Sequence, residues 1–299
     1  MSVSHDHHER TIIAPAIIAG VGVHTGRRVR LAVRPAPSGT GIVFVRTDVT
    51  DRDNRIRVSG EAVVDARLNT MIENAAGVRL STIEHLMAAF CALGVSNAVV
   101  EVDGPELPIL DGSALEFVNL LDRAGFRRQP TPVRYIEILE TIHVVEGDKH
   151  AALMPSDRYE MRFEIDFPSA AIGNQVVDFV VDEATFRRDI MAARTFGFAH
   201  EVEAPRQAGL ARGGSLENAV VNDGDDILNR GGLRMEREFV KHKALDAIGD
   251  LYVLGGPILG RYEGYKAGHA LNNKLVRAML AAPHAWRETI RLPEMAEAG

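Results

Sequence analysis

Cysteine is nearly absent from this chain of 299 residues, in which Cys91 is the single example. One thiol cannot form an intrachain disulfide, and so little cysteine favours a reducing compartment. Apolar runs are short, and none approaches the roughly 18 residues that a membrane-spanning helix needs. The first residues carry histidines and acids where a secretory signal has a basic region. We therefore expect a cytoplasmic protein with no transmembrane segment.

Positive charge is outnumbered by negative charge. The chain has 34 Lys and Arg against 41 Asp and Glu, a formal net charge of −7. That balance excludes the broad basic field that usually selects duplex nucleic acid, so we expect no nucleic-acid partner. What is present, 46% hydrophobic and 25% charged residues, is typical of a globular protein.

The length suits two domains of about 130 to 150 residues each. Each half shows strand-like segments and a pair of helices, and the segment 125–132, with two prolines and no hydrophobic period, predicts a linker. We predict domains at 1–127 and 128–299, the second with an insertion at about 196–221. The expected fold class is α+β, with two similar layered domains packed face to face and the active site between them. The predicted helices cover 82–93, 114–124, 236–254 and 271–281.

The stretch around Lys243 carries a histidine and an aspartate four residues apart. On a helix, His242 and Asp246 lie on one face and can share an ion. Together with Lys243 and Asp250 they fall within an arc of roughly 100°, while the remaining positions are apolar. A mostly apolar helix is buried, and buried charges need partners or a metal. The alternative is an ordinary His–Asp pair on a solvated face, but the apolar surroundings favour a metal site.

A catalytic zinc site typically has three protein ligands and an open position, and His85 is the candidate third ligand. Ser81 followed by Glu84 has the spacing of a capping box, which predicts a helix that begins at Ser81. His85 then lies in the first turns, where the helix dipole disfavours imidazolium and so favours the neutral ring that a metal requires. Glu84 has two interpretations: a capping glutamate, or a general base next to a metal ligand.

Taken together, these residues resemble the UDP-3-O-acyl-N-acetylglucosamine deacetylase family, zinc enzymes at the committed step of lipid A synthesis in Gram-negative bacteria. The resemblance runs from about Thr11 to Trp286. Its motifs, in chain order, are GVGVHTG (20–26), LSTIEHLMAA (80–89), PELPILDGSA (105–114), ARTFGF (193–198), EFVKHKALDAIGDL (238–251) and GHALNNKL (268–275).

The resemblance implies an activity and roles for the site residues. The activity is zinc-dependent hydrolysis of the N-acetyl amide of UDP-3-O-(3-hydroxyacyl)-N-acetylglucosamine, which releases acetate and the free amine. Glu84 corresponds to the general base and Thr195 to the residue that stabilises the oxyanion. His269 corresponds to a cationic stabiliser or general acid, oriented by Asp250. The implied zinc ligands are His85, His242 and Asp246.

The resemblance also implies how a large UDP-linked substrate is held. Lys243, Phe196, Phe167 and Lys266 resemble residues that contact uracil, sugar and phosphate. Asn69 is a departure, because some members have cysteine at this position near the metal. We expect a monomer that works close to the membrane surface. Residues of the insertion that correspond to the passage for the acyl chain are Phe198, Val202, Ala211, Ser215, Ala219 and Val221.

Two other functions are compatible with parts of the sequence. Paired α+β halves and the GHALNNKL motif suggest a small-molecule kinase, but the chain has no GxxxxGK[ST] loop. A non-catalytic metal-binding or carbohydrate-binding module is the second alternative, and it leaves Glu84 and Thr195 without a role. Acetate release without ATP hydrolysis distinguishes the deacetylase from both.

Overall fold

The computed structural model describes residues 7–201 and 212–291. The described strands are β1 (His8–Ile12), β2 (Ala16–Val21), β3 (Arg28–Pro35), β4 (Ile42–Arg46), β5 (Arg55–Arg57), β6 (Val63–Asp65), β7 (Met71–Glu73), β8 (Arg79–Leu80), β9 (Ala98–Val102), β10 (Phe126–Pro132), β11 (Arg134–Ile138), β12 (Ile142–Glu146), β13 (Lys149–Met154), β14 (Tyr159–Asp166), β15 (Asn174–Val180), β16 (Phe196–Phe198), β17 (Val220–Asp223), β18 (Asp226–Ile227), β19 (Ile258–Tyr265) and β20 (Trp286–Ile290).

The described α-helices are fewer than the strands. A π-helical turn, Phe186–Ile190, continues the third of them, and short 3₁₀ turns cover Gly60–Ala62 and Ala199–Glu201. None of the described helices has the length and hydropathy needed to cross a membrane. The α-helices are α1 (Glu84–Ala92), α2 (Leu115–Ala124), α3 (Glu183–Thr185), α4 (Glu238–Tyr252) and α5 (His269–Leu280).

Each half of the chain builds its own main sheet. The first half forms a five-stranded sheet in the order β2-β3-β9-β4-β5, and a small sheet β6-β7-β8 leads into α1. In the second half, β19 is central, because it pairs with β11, β13 and β14. Buried and partly exposed residues alternate along β9 and β14, as expected for strands with one face on the core. The α+β class predicted from the sequence is confirmed.

Helices α1 and α4 join the two halves through the most extensive helix–helix contact of the described chain. The contact is close because Gly249 of α4 lies against the backbone of Glu84, and a Cβ at position 249 would overlap the Glu84 carbonyl oxygen. Nearly every residue of α4 is buried, including the acidic Glu238, Asp246 and Asp250. The predicted buried helix is therefore confirmed, and His242 and Asp246 of its polar arc lie against His85 of α1.

The capping box predicted at Ser81 is wrong. Helix α1 begins at Glu84, and no side chain caps its N-terminus. The Ser81 hydroxyl donates instead to the Pro105 carbonyl, and Ser81 forms a parallel bridge with Glu106. The Glu84 carboxylate accepts a hydrogen bond from the backbone of Thr70. Both side chains are thus occupied by distant parts of the chain.

The segment 125–132, predicted as a linker, contains strand β10, which pairs antiparallel with β1. Its prolines are compatible with a strand because, among the described strands, β10 pairs with β1 on one side, so its other edge needs no ladder N–H. The domain boundary at 127/128 falls inside this strand and stays a prediction.

Candidate active site

A cavity of about 710 Å³ lies where the two halves meet. Its wall includes His24 and Glu84 from the first half and Thr195, Lys243 and His269 from the second. A site built from both halves was expected from the sequence, and the α1–α4 contact is what places the two sets of side chains together.

Three side chains on this wall converge on one point. His85 is on α1, and His242 and Asp246 are one turn apart on α4. A ligand atom of each lies within 4.8 Å of the other two, and all three residues are buried. His242 Nε2 is 3.3 Å and His85 Nε2 is 3.5 Å from Asp246 Oδ1. Two imidazoles and a carboxylate are a donor set that suits Zn²⁺.

The protonation of His242 shows that this cluster fits a cation. Its Nδ1–H donates to the Ala193 carbonyl at 3.0 Å, so the lone pair of Nε2 points toward Asp246. Burial lowers the pKa of His242 to about 4, which leaves the ring neutral at pH 7. Within the described residues, Asp246 Oδ1 is buried and accepts no hydrogen bond. Two facing lone pairs in a buried site call for a shared metal ion.

The other oxygen of Asp246 is already occupied. Lys243 Nζ donates to Asp246 Oδ2 at 3.2 Å and lies 5.6 Å from the centre of the Phe196 ring. Burial disfavours ionised Asp246, but the neighbouring His242, Lys243 and His269 outweigh it and hold the pKa of this carboxyl well below its usual range. Asp246 is therefore an anionic ligand with one oxygen available.

Glu84 and His269 lie beside the three candidate metal ligands. Glu84 Oε1 is 4.0 Å from His269 Nε2, and that nitrogen is 3.8 Å from Asp246 Oδ2. His269 Nδ1–H donates to both oxygens of Asp250, at 3.0 and 2.9 Å. The Asp250 carboxylate thus fixes the tautomer and the orientation of His269. The other ring nitrogen, Nε2, lies near Glu84 and Asp246 at the cavity wall.

The two groups have shifted pKa values for different reasons. Burial is the main cause that raises the pKa of Glu84, although the neighbouring histidines oppose it. Burial alone would lower the pKa of His269, but Asp250, Asp246 and Glu84 outweigh it and raise this pKa to about 9. His269 is therefore a cation at pH 7, next to a carboxyl group whose affinity for protons is increased.

A buried ion pair between Arg194 and Glu238 holds the segment around Thr195 against helix α4. Both oxygens of Glu238, the first residue of α4, accept hydrogen bonds from the Arg194 guanidinium, at 2.8 and 3.1 Å. Glu238 Oε1 also accepts the backbone N–H of Arg194. The neighbouring residues are Ala193, whose carbonyl orients His242, and Thr195, which lines the cavity. One pair thus fixes both of these neighbours relative to α4.

Comparison with known proteins agrees with this site. Residues 9–281 match the model of the UDP-3-O-acyl N-acetylglycosamine deacetylase (LpxC) family. A UDP-3-O-acyl-N-acetylglucosamine deacetylase of Phenylobacterium zucineum is 63% identical over 290 residues, which cover 97% of this chain and 99% of the relative. The protein of the same name from Shewanella oneidensis is 49% identical over 280 residues, 93% of this chain and 91% of the relative. The chain belongs to this deacetylase family.

Membership of the deacetylase family confirms the family predicted from the six motifs. Of the residues predicted for substrate contact, some lie on the cavity wall and others do not. Phe167 and Phe198 pack against Phe196, with ring centres 5.8 and 6.5 Å from it. Val202 and Ala211 lie outside the described residues. The predicted residues found on the cavity wall are Lys243, Phe196, Lys266, Ser215, Ala219 and Val221.

Several cavity residues of this deacetylase were not singled out from the sequence. His24 lies in a turn of the motif GVGVHTG (20–26), which was the one available signal for it. Glu106 anchors that turn, because its carboxylate accepts the backbone N–H groups of His24 and Thr25 and the Thr25 hydroxyl. The other unpredicted wall residues include Arg67, Leu68, Thr82, Ile109, Glu146, Lys149, Leu216 and Leu228.

Proposed function

We propose that this protein hydrolyses the N-acetyl amide of UDP-3-O-acyl-N-acetylglucosamine and releases acetate and the free amine, a step of lipid A synthesis. The observation that carries the proposal is the convergence of His85, His242 and Asp246 beside Glu84 in one cavity. Membership of the deacetylase family supports the substrate.

The proposed metal is Zn²⁺, held by His85, His242 and Asp246. When bound, zinc supplies a Lewis acid and lowers the pKa of water. The chain itself prepares the site for this ion, because His242 is neutral and its Nδ1–H is already committed to the Ala193 carbonyl. Asp246 supplies the negative charge of the ligand set.

Glu84 is the proposed general base. It lies beside the ligand cluster and accepts the proton of the water that attacks the acetamide carbon. The Thr195 hydroxyl and the cationic His269 stabilise the negative charge that develops on the carbonyl oxygen. The C–N bond of the resulting tetrahedral adduct then breaks to give acetate, and either Glu84 or His269 protonates the amine that leaves. Asp250 keeps His269 oriented and favours its cationic form.

The proposed substrate contacts follow the cavity wall. Lys243 and Lys266 are cations suited to the phosphates of the nucleotide, although Lys266 now contacts Asp148 and Asp166 at 3.0 and 3.2 Å. Phe196, with Phe167 and Phe198 against it, offers an aromatic surface for the uracil and sugar. The apolar wall at Ser215, Ala219 and Val221, with Val202 and Ala211 beyond the described residues, is the proposed acyl passage.

Cytoplasmic location, action close to the membrane surface and a monomeric state belong to the same proposal. A free thiol at Cys91 suits a reducing compartment. Burial raises the pKa of this thiol to about 12, so it is unreactive at pH 7.

Acetate release from the UDP-linked acylated sugar tests the proposed function. We expect release by the purified protein, loss of release with a chelator, and recovery when Zn²⁺ is returned. ATP added in a parallel reaction should not be hydrolysed. Binding of the sugar nucleotide without acetate release would contradict the enzyme and favour a binding module, whereas ATP-dependent phosphorylation would favour a kinase.

A further inference from the structure

Thr70 makes two hydrogen bonds that join the proposed base to the proposed histidine–aspartate pair. Its backbone N–H donates to Glu84 Oε2 at 3.1 Å, and its hydroxyl donates to Asp250 Oδ1 at 2.6 Å. The side chain is buried, with 3% of the residue exposed. Thr70 was not singled out from the sequence, and it does not lie on the cavity wall.

The hydroxyl of Thr70 has a defined direction. An ionised carboxylate carries no proton and can only accept hydrogen bonds, so the Thr70 O–H is the donor to Asp250. The distance of 2.6 Å is in the range of charge-assisted O–H···O⁻ bonds, which are stronger than neutral ones. The Asp250 carboxylate is therefore oriented by this donor as well as by the Nδ1–H of His269, from which it accepts a hydrogen bond.

A second donor with a fixed orientation bonds to the other carboxylate oxygen of Asp250. Asn272 Nδ2 donates to Asp250 Oδ2 at 2.8 Å, and the orientation of this amide is set because Asn272 Oδ1 accepts the Tyr262 hydroxyl at 2.7 Å. Asp250 is thus held from both sides. Thr70 is the member of this network that also contacts Glu84.

The segment that carries Thr70 also holds the entrance to α1. The Thr70 carbonyl accepts from Ile83 N, and Asn69 Oδ1 accepts from Thr82 N at 3.3 Å. Thr82 has φ of 60°, a left-handed conformation that is costly for a β-branched residue and persists only where the surroundings hold it. The hydrogen bonds that Thr82 and Ile83 donate to Asn69 and Thr70 therefore fix the backbone just before Glu84.

We propose that Thr70 is a positioning residue that holds Glu84 and the Asp250–His269 pair at a fixed separation in the deacetylase reaction. This inference rests on the proposed function. It assigns the Thr70 hydroxyl a role that acts through Asp250, while the Thr70 backbone acts on Glu84.

Two substitutions separate the hydroxyl from the shape of the side chain. Thr70→Val keeps the branched shape and the backbone N–H but removes the donor to Asp250, whereas Thr70→Ser keeps the donor and removes the methyl group. We expect Thr70→Val to lower kcat for acetate release on the order of 10-fold or more, with KM and bound metal unchanged. Thr70→Ser should keep most of the wild-type kcat.

Thr11 offers a matched control for the loss of a buried hydroxyl. Its hydroxyl donates to the Asn97 carbonyl at 2.7 Å and accepts from Ala36 N, outside the site. Thr11→Val should lower the melting temperature and leave kcat unchanged. If Thr70→Val does not fold, Thr70→Ala carries the same expectation for kcat.

A double-mutant cycle tests whether Thr70 acts through Asp250. In an Asp250→Ala background, Thr70→Val should lower kcat much less than it does in the wild-type protein. Additive losses, an unchanged kcat in Thr70→Val, or equal losses in the valine and serine variants would each overturn the positioning role while wild-type turnover persists. A wild-type protein that releases no acetate would overturn the proposed function and this role with it.

Discussion

The charge of His269 depends on the carboxylates that surround its two ring nitrogens. Asp250 accepts from Nδ1, while Asp246 and Glu84 face Nε2 at 3.8 and 4.0 Å. Burial opposes the cation, and these carboxylates reverse the effect. The cationic state of the residue is thus a property of its neighbours, which the sequence motif alone does not show.

We predict that the Asp250→Asn substitution lowers the pKa of His269 from about 9 toward or below the ordinary 6.5. The substitution removes the largest attractive charge, so the effect of burial, which favours the neutral ring, is opposed by the weaker effects of Asp246 and Glu84. Imidazole NMR titration of the metal-free protein measures the change. A pKa that stays near the wild-type value would contradict the assigned cause.

The same shift has a consequence for stability, because the pKa in the folded protein lies above the ordinary value. The contribution from His269 is fully present below pH 6.5 and is lost as the pH rises through about 9. The free energy of unfolding, measured between pH 6.5 and about 9, should fall in the wild-type protein and fall less in Asp250→Asn.

At the level of secondary structure, the close contact between α1 and α4 brings the ligands together. The apolar period predicted α4 at 236–254, and the structure has it at Glu238–Tyr252. The same pattern predicted the polar arc that contains His242 and Asp246. The start of α1 was misplaced because Ser81 and Glu84 bond to Pro105 and Thr70, and a local pattern does not show such distant partners.

Gly249 sets the distance between these helices, so we predict that Gly249→Ala destabilises the protein. In most helices alanine is more stable than glycine by about 0.5–1 kcal/mol. Here the new Cβ overlaps the Glu84 carbonyl, and overpacking of this kind costs about 1–3 kcal/mol. Urea unfolding measures the change, and kcat should fall because Glu84 is displaced.

A comparison for Gly249→Ala is Ala278→Gly in α5, which gives the difference between the two residues at a half-buried helical position that already accommodates a Cβ. If Gly249→Ala were as stable as the wild-type protein or more stable, the proposed spacing role would be wrong.

For the whole molecule, the cavity draws its wall from both halves, and no single segment of sequence contains the site. Individual motifs identified the metal triad and Glu84 as candidates. The network of Thr70, Asn272 and Asp250 was missed because Thr70 and Asp250 are 180 residues apart. Such a contact follows from how the two sheets and their helices pack, and a single sequence carries no local pattern for it.

The proposed acyl passage makes affinity depend on chain length. Each CH₂ buried contributes about 0.8 kcal/mol, so each one removed from the substrate should raise Kd up to about fourfold. Measuring KM and Kd for UDP-sugars with stepwise shorter acyl groups tests this expectation. Values independent of chain length would place the acyl group outside the apolar wall formed by Ala219 and Val221.

The most direct measurement of the central claim is acetate release and bound metal on the same samples of wild-type protein and Glu84→Ala. We predict wild-type metal content in Glu84→Ala and a kcat lower by about 10²- to 10⁴-fold, since the base is lost while the ligands remain. His242→Ala in parallel should lose the metal. A Glu84→Ala protein with metal bound and an unchanged kcat would contradict the account.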